Sequence, residues 1–130
     1  MVGDPIADFI TRIQNASMAR LPSIVVPFSN LKNEIAEKLL SEGFVSNVEK
    51  KGKKIKRYLE VTLKYSNDEP EVRGVRRVSK LGKRVYLKVN EIKPVKFGHG
   101  IMVISTPKGI LTDKEAIKEN VGGEPLFAIW

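Results

Sequence analysis

Two short polar stretches near the end of the sequence carry the side chains best suited to hydrogen-bond chemistry. Residues 104–109 read Ile-Ser-Thr-Pro-Lys-Gly, and residues 122–124 read Gly-Gly-Glu. The hydroxyls of Ser105 and Thr106 can each donate and accept hydrogen bonds. The two glycines carry no Cβ, so the backbone of a partner can come close to them. The combination favours recognition of a polar partner, and a purely structural pair of turns is the alternative.

The same region also contains the residue types of a hydrolase. His99, Ser105 and Asp113 would supply the three members of a catalytic triad. However, Ser105 lacks the context of a nucleophile elbow, and His99 lies between two glycines where no acid is set to orient it. The chain has no cysteine, and no acidic cluster has the spacing of a metal site. The sequence therefore predicts no enzyme, no catalytic residue, no metal and no cofactor.

Two strands and a helix must position these polar stretches. Residues 101–104 are apolar and of strand type. Thr112 followed by Glu115 predicts a capping box at the start of a short helix that ends before Gly122. Residues 126–130 predict a terminal strand. These elements would present the hydroxyl stretch and the double-glycine turn together.

A basic segment precedes this region. Residues 73–88 contain seven basic residues and no acidic one. A basic strand and a turn lead to a returning strand over residues 84–89, whose alternation would place three side chains on one face: Arg84, Tyr86 and Lys88. An aromatic ring between two cations suits a sugar–phosphate surface. The alternative is a solvent-facing sheet with the tyrosine half buried.

The first half of the sequence predicts a compact α/β unit. Asp4-Pro5 marks a helix start, and apolar residues at helical spacing predict its buried face: Ile6, Phe9, Ile10 and Ile13. A strand over residues 23–27 and a second helix capped by Ser29 follow, the helix with four inward residues: Leu31, Ile35, Leu39 and Leu40. A hairpin with a lysine-rich tip at residues 50–54 completes the unit, and its returning strand is expected to bury Ile55, Leu59, Val61 and Leu63.

Two cations of this half are candidate contacts. Arg12 lies off the apolar stripe of the first helix, and Lys32 lies in the first turn of the second helix, where the helix dipole disfavours a lysine. A solvated helix face is the alternative for both.

Residues 66–70 are polar and acidic and end in proline, which predicts a linker. The predicted fold class is therefore α/β (α+β) with two small domains. Residues 1–65 would form the helix-strand-helix-hairpin domain, and residues 71–130 a mostly β domain with a short helix.

The charge distribution points to a polyanionic partner. The net charge is +8; residues 1–69 carry 11 basic and 9 acidic groups, whereas residues 70–130 carry 12 and 6. A basic surface favours nucleic acid because binding releases condensed counterions, and solubility alone is the alternative. No apolar run approaches the roughly 20 residues of a membrane span, and the N-terminus does not resemble a signal peptide. We expect a cytoplasmic protein without a membrane contact.

Four strings make the sequence similar to a known family. They lie at residues 4–16, 76–80 (Arg-Arg-Val-Ser-Lys), 82–86 (Gly-Lys-Arg-Val-Tyr) and 104–116, the last followed by Gly-Gly-Glu at residues 122–124. Together they resemble the bacterial small-subunit ribosomal proteins of the eighth family (the uS8 family), and the likeness covers nearly the whole chain. The chain departs from the usual family residues at three positions: Leu81 in place of proline, Pro107 in place of serine and Ile117 in place of arginine.

The resemblance implies a structural constituent of the ribosome that binds the central domain of small-subunit ribosomal RNA and supports assembly of that subunit. The implied partners are this RNA, neighbouring small-subunit ribosomal proteins and the messenger RNA of its own operon, whose translation family members commonly repress. The alternative is a winged-helix-like DNA- or RNA-binding regulator outside the ribosome, because the first half has a similar order of elements.

The resemblance and the charge pattern together give the predicted RNA-binding residues. The Ser-Thr loop and the Gly-Gly-Glu turn follow from the resemblance, and most of the cations follow from the charge pattern. In chain order they are Arg12, Lys32, Arg77, Lys83, Arg84, Tyr86, Lys88, Ser105, Thr106, Lys108, Gly109, Gly122, Gly123 and Glu124.

Overall fold

A computed structural model of the chain describes residues 4–95 and 98–130. These residues form two compact units: an N-terminal unit of residues 5–73, and a C-terminal unit of residues 74–130 with Asp4. The predicted mixed α/β fold is confirmed, since helices and antiparallel sheets occur together. No helix in the described ranges is long and apolar enough to cross a membrane.

The N-terminal unit has two helices against a three-stranded antiparallel sheet. The strand order is β1-β3-β2, with α1 against β1 and α2 against β2. Its elements are α1 (Pro5–Met18), β1 (Ser23–Pro27), α2 (Asn30–Ser41), β2 (Val45–Lys53) and β3 (Lys56–Leu63).

Local sequence signals set the helices of this unit. The helix α1 begins at Pro5 and buries all four predicted apolar residues. The side chain of Ser29 accepts a hydrogen bond from the amide of Lys32 at 3.1 Å, which confirms it as the cap of α2. In α2, Ile35 and Leu39 are buried as predicted. Leu31 is 38% exposed, so the prediction that it faces inward is wrong. Leu31 lies in the first turn of α2, beyond the covered part of its face.

The β2–β3 hairpin differs from its prediction at the tip. The strand β2 continues to Lys53, and the turn consists of Lys54 and Ile55. Ile55 is 95% exposed rather than buried, because it lies in the turn and does not share the pleat of β3. Leu59, Val61 and Leu63 are buried as the alternation predicts.

Residues 65–70 form a short hairpin of two strands, β4 (Tyr65–Ser66) and β5 (Glu69–Pro70). The predicted linker at 66–70 lies within this segment. The domain limits of the sequence analysis stay a prediction.

The C-terminal unit is a four-stranded antiparallel sheet with one short α-helix. The strand order is β6-β9-β7-β8. Its elements are β6 (Val75–Arg77), a 3-10 helix (Val89–Glu91), β7 (Ile101–Thr106), β8 (Gly109–Thr112), α3 (Asp113–Lys118) and β9 (Glu124–Ile129).

The capping box predicted for α3 is confirmed. The Thr112 hydroxyl accepts a hydrogen bond from the Glu115 amide at 3.2 Å, and the Glu115 carboxylate accepts one from the Thr112 amide at 2.9 Å. The helix buries Ala116 in a cluster with Ile92 and Ile104. This packing holds α3 beside the end of the sheet that carries the hydroxyl stretch.

The prediction of a strand at residues 84–89 is wrong. Only an isolated bridge between Leu87 and Gly123 occurs there, and the 3-10 helix already begins at Val89. The early helix leaves this edge segment too short for a continuous ladder. Its side chains nevertheless alternate between exposed and half-buried positions along residues 84–88. Residues 96 and 97, which end the helical turn predicted near Pro94, lie outside the described ranges.

Candidate nucleic-acid interface

The hydroxyl stretch forms the closed end of the β7–β8 hairpin. Thr106 pairs with Gly109 across the turn. The Thr106 hydroxyl donates a hydrogen bond to the Gly109 carbonyl at 2.7 Å and accepts one from the Lys108 amide at 3.1 Å. Gly109 has a φ of +108°, a conformation that side chains disfavour. The hydroxyl proton of Thr106 is therefore used in a hydrogen bond that stabilises the turn.

Ser105 differs from its neighbour because its hydroxyl has no hydrogen-bond partner among the described residues. It is half-buried in β7, opposite Ile110 of β8 and Glu124 of β9. Within the part of the chain that the structure describes, its side chain makes no hydrogen bond. One hydroxyl can thus offer both a donor and an acceptor to a partner.

The double glycine brings the chain's own backbone together. A Cβ on Gly122 would lie 2.3 Å from the Leu87 carbonyl oxygen, and a Cβ on Gly123 would lie 2.3 Å from that of Ser105. Leu87 and Gly123 exchange two backbone hydrogen bonds of 2.9 and 3.0 Å. The space next to the two glycines, expected to receive a partner's backbone, is thus occupied on the Cβ side by the chain's own Leu87 and Ser105 carbonyls.

Glu124 is the centre of a small polar network. Its Oε2 accepts hydrogen bonds from the Ser79 hydroxyl and, at 2.7 Å, from the Arg84 guanidinium. The Ser79 hydroxyl also accepts a hydrogen bond from the Val85 amide at 3.1 Å. The hydrogen bonds from Ser79 and Arg84 hold the pKa of Glu124 below its usual value of 4.5. Ser79 is buried and was missed as a site residue, since a serine in a basic turn gives no signal of its distant partner.

The exposed face of residues 84–88 carries the aromatic ring between two cations. Tyr86 is 66% exposed, and Arg84 and Lys88 are exposed on either side of it. The Lys88 amide donates to the Glu91 carboxylate at 2.7 Å, which fixes the end of the segment at the 3-10 helix. The alternation predicted from the sequence thus places these three side chains outward without a regular strand.

These segments form one continuous surface. Leu87 is bridged to Gly123, and β9 begins at the next residue, Glu124, which pairs with Ser105 of β7. Residues 84–88, 122–124 and 105–109 therefore lie side by side, and we call them the C-terminal surface. The structure brings together most of the predicted site residues there.

The other predicted residues have different surroundings. The Arg77 guanidinium binds both carboxylate oxygens of Asp4, at 2.8 and 3.2 Å, and donates to the Leu126 carbonyl. Lys83 is exposed in a turn. Within the C-terminal surface itself, Lys108 is exposed and forms an ion pair of 3.4 Å with Glu119.

Arg12 and Lys32 belong to the N-terminal unit. Arg12 pairs with Asp8 at 3.2 Å, and the Lys32 ammonium donates to the Pro27 carbonyl at 3.1 Å. Both cations therefore have partners within their own unit.

The triad residues do not form a catalytic arrangement in the described ranges. Asp113 is buried and accepts a hydrogen bond of 3.4 Å from the Met102 amide, while His99 is exposed in a turn. No hydrogen bond joins His99, Ser105 and Asp113. Among residues 4–95 and 98–130, no group of three or more histidine or acidic side chains could hold a metal ion.

Comparison with known proteins gives a family match over nearly the whole chain. The family model described as "Ribosomal protein S8" matches residues 4–130. The chain belongs to the ribosomal protein S8 family. Members of this family are ribosomal proteins rather than enzymes, which favours the ribosomal interpretation over a regulator outside the ribosome.

Relatives in this family match along nearly their full length. The small ribosomal subunit protein uS8 of Mycoplasma mobile is 45% identical over 130 residues, covering 100% of this chain and 98% of the relative. That of Staphylococcus saprophyticus is 48% identical, covering 99% and 98%. That of Staphylococcus aureus strain JH9 is 49% identical over 128 residues, covering 98% and 97%.

The close approach at Gly123 gives a stability prediction. We expect Gly123→Ala to lower the free energy of unfolding by about 1–3 kcal/mol, because its Cβ must displace the Ser105 backbone. Gly82→Ala is the matched control: no atom lies within 4 Å of its Cβ. Urea unfolding of both variants would measure the difference, and equal stabilities would contradict the role given to Gly123.

The Glu124 network gives a pH prediction. Because folding lowers the pKa of Glu124 from 4.5, its ionised form contributes stability above about pH 4.5, and that contribution is lost as the pH falls through the folded pKa. The wild type should exceed Glu124→Gln in stability at pH 7, and the difference should shrink as the pH falls below about 4.5 through the lowered folded pKa. Urea unfolding at stepped pH measures this, and a difference independent of pH would exclude the charged network.

Proposed function

We propose that the chain is a constituent of the small ribosomal subunit and binds the central domain of small-subunit ribosomal RNA directly through the C-terminal surface, so supporting assembly of the subunit. The names of the relatives, small ribosomal subunit protein uS8, support the location in the subunit. The likeness of residues 104–124 to the family's RNA-binding loop and turn supports the choice of surface.

The observation that carries the proposal is the free hydroxyl of Ser105 on the same surface as exposed Tyr86. A regular A-form helix hides most base edges from protein side chains, whereas an irregular helix with displaced bases exposes base edges and 2′-hydroxyls. Ser105 would hydrogen-bond such a group, and Tyr86 would pack on a base or sugar. Lys88 and Lys108 would contact phosphates and fix the register of the protein on the RNA.

The remaining residues of the C-terminal surface would shape it. Thr106 and Gly109 hold the hairpin end, and Gly122 and Gly123 allow the neighbouring segments to approach. Glu124 positions Arg84 and the turn after β6. The Gly123 amide is already bonded to the Leu87 carbonyl, so the Gly-Gly-Glu turn would belong to the proposed interface through its shape.

The same surface would bind any RNA that reproduces this irregular helix. The messenger RNA of the chain's own operon is the second proposed partner, with repression of translation as the result. Neighbouring small-subunit ribosomal proteins are the proposed protein partners. A nuclease footprint on small-subunit ribosomal RNA, competed by operon messenger RNA or by DNA duplex, would test these partners: protection outside the central domain, or equal competition by DNA, would contradict the proposal.

The hydroxyl of Ser105 gives the sharpest test. We expect Ser105→Ala to weaken RNA binding by roughly tenfold to a hundredfold, because an RNA group loses its hydrogen-bond partner at a cost of about 1–3 kcal/mol. Stability should change little, since the hydroxyl has no partner in the described chain. Equilibrium binding to small-subunit ribosomal RNA at one salt concentration measures the effect.

Two variants serve as controls for Ser105→Ala. Ser41→Ala removes an exposed hydroxyl from α2 and should leave RNA affinity unchanged. Thr106→Val removes the bond to Gly109 and should lower both affinity and stability. Binding of wild-type strength by folded Ser105→Ala would exclude the hydroxyl as a contact.

The salt dependence tests the phosphate contacts. Lys88→Gln should weaken binding and reduce the slope of log affinity against log salt by about 0.7–0.9, the value for one phosphate contact. Lys114→Gln removes an exposed lysine of α3, outside the C-terminal surface, and should leave the slope unchanged. Equal slopes for the wild type and Lys88→Gln would mean that this lysine faces solvent in the complex.

A further inference from the structure

The tip of the β2–β3 hairpin concentrates cations without acidic partners. The register places Lys53 directly opposite Lys56, and the turn between them consists of Lys54 and Ile55. All four side chains are exposed, and Ile55 is 95% exposed. Within the described chain, none of the three lysines forms an ion pair or a hydrogen bond through its ammonium group.

The base of the same hairpin is different. The Lys51 ammonium pairs with the Glu60 carboxylate at 2.7 Å. Lys50 and Arg57 lie over the ring of Phe28, with distances of 5.4 and 4.5 Å to its centroid. The chain therefore supplies partners for the cations at the base of the hairpin and leaves those at the tip to solvent.

The geometry of the tip works against a purely structural role. Like charges directly opposite each other across a strand pair destabilise the pair. Gly52 keeps the strands close: its φ is +90°, and a Cβ there would lie 2.0 Å from the Lys56 carbonyl oxygen. The hairpin thus places three exposed lysines within four residues at its tip, and a bound polyanion would reduce the repulsion between them.

We infer that this hairpin tip is a second RNA-binding site, in which Lys53, Lys54 and Lys56 contact phosphates and Ile55 packs on an adjacent sugar or base. The inference rests on the proposed function for the identity of the RNA and adds a contact in the N-terminal unit. RNA is favoured over an apolar protein pocket because three unpaired cations surround a single apolar side chain. Such a pocket would have to supply three matching acids.

The salt dependence of binding tests the site. Simultaneous replacement of the three tip lysines by glutamine should weaken binding to full-length small-subunit ribosomal RNA and reduce the salt slope by up to about 2–3. Ile55→Ser should weaken it by less than about tenfold without changing the slope. Lys50→Gln with Lys51→Gln is the matched control, because these lysines have partners at the base, and its slope should equal that of the wild type.

Crosslinking tests the contact directly, since the chain contains no cysteine. A photoreactive maleimide on Ile55→Cys should crosslink to naked small-subunit ribosomal RNA at a position outside the footprint lost in Ser105→Ala. The same reagent on Met18→Cys, a site that is 70% exposed in the same unit, should give much lower yield.

The outcomes separate this inference from the proposed function. If Ser105→Ala weakens binding but the triple lysine variant keeps the wild-type slope, the proposed function stands and the tip site is overturned. If Ile55→Cys crosslinks to a protein in reconstituted subunits and to RNA no better than Met18→Cys does, the tip binds protein and the inference is again overturned. Absence of any binding to ribosomal RNA would contradict the proposed function itself.

Discussion

The C-terminal surface depends on two backbone approaches that only glycine permits. Gly122 lies against the Leu87 carbonyl and Gly123 against that of Ser105, each with no room for a Cβ. These contacts align three segments that are far apart in the sequence. The aromatic ring, the free hydroxyl and the turn would otherwise belong to separate loops. The double glycine is therefore as important for the protein's own architecture as for any direct contact with RNA.

Adjacent polar residues on this surface have different tasks. Thr106 uses its hydroxyl proton inside the hairpin, whereas the Ser105 hydroxyl makes no hydrogen bond within the described chain. The Glu124 carboxylate likewise accepts its hydrogen bonds within the chain, from Ser79 and Arg84. An acidic residue in an RNA interface would repel phosphates. A carboxylate that is paired with an arginine and hydrogen-bonded to a serine repels them less and stabilises the turn. Residue type alone does not reveal this division, because it depends on which groups lie within hydrogen-bond distance.

Local patterns predicted the parts of the fold that are decided locally. The apolar stripe of α1, the cap at Ser29 and the capping box of α3 depend on residues a few positions apart, and all are present. Long-range features were not predictable. Ser79 meets Glu124 across 45 positions, and the segment over residues 84–89 forms one bridge rather than a strand because the 3-10 helix already begins at Val89. The exposed Ile55 was missed because alternation does not reveal where a turn begins.

The hydrogen bonds of Thr106 have a consequence for the thermodynamics of binding. They close the turn before any partner arrives, and the contacts around Glu124 do the same for the neighbouring turn. In the proposed complex, the protein side of the interface would therefore lose little conformational entropy on association. Most of the rearrangement on binding would then occur in the RNA, whose bases would pack on a protein surface that is already formed. The protein would therefore select one conformation of a flexible nucleic acid rather than change its own conformation on binding.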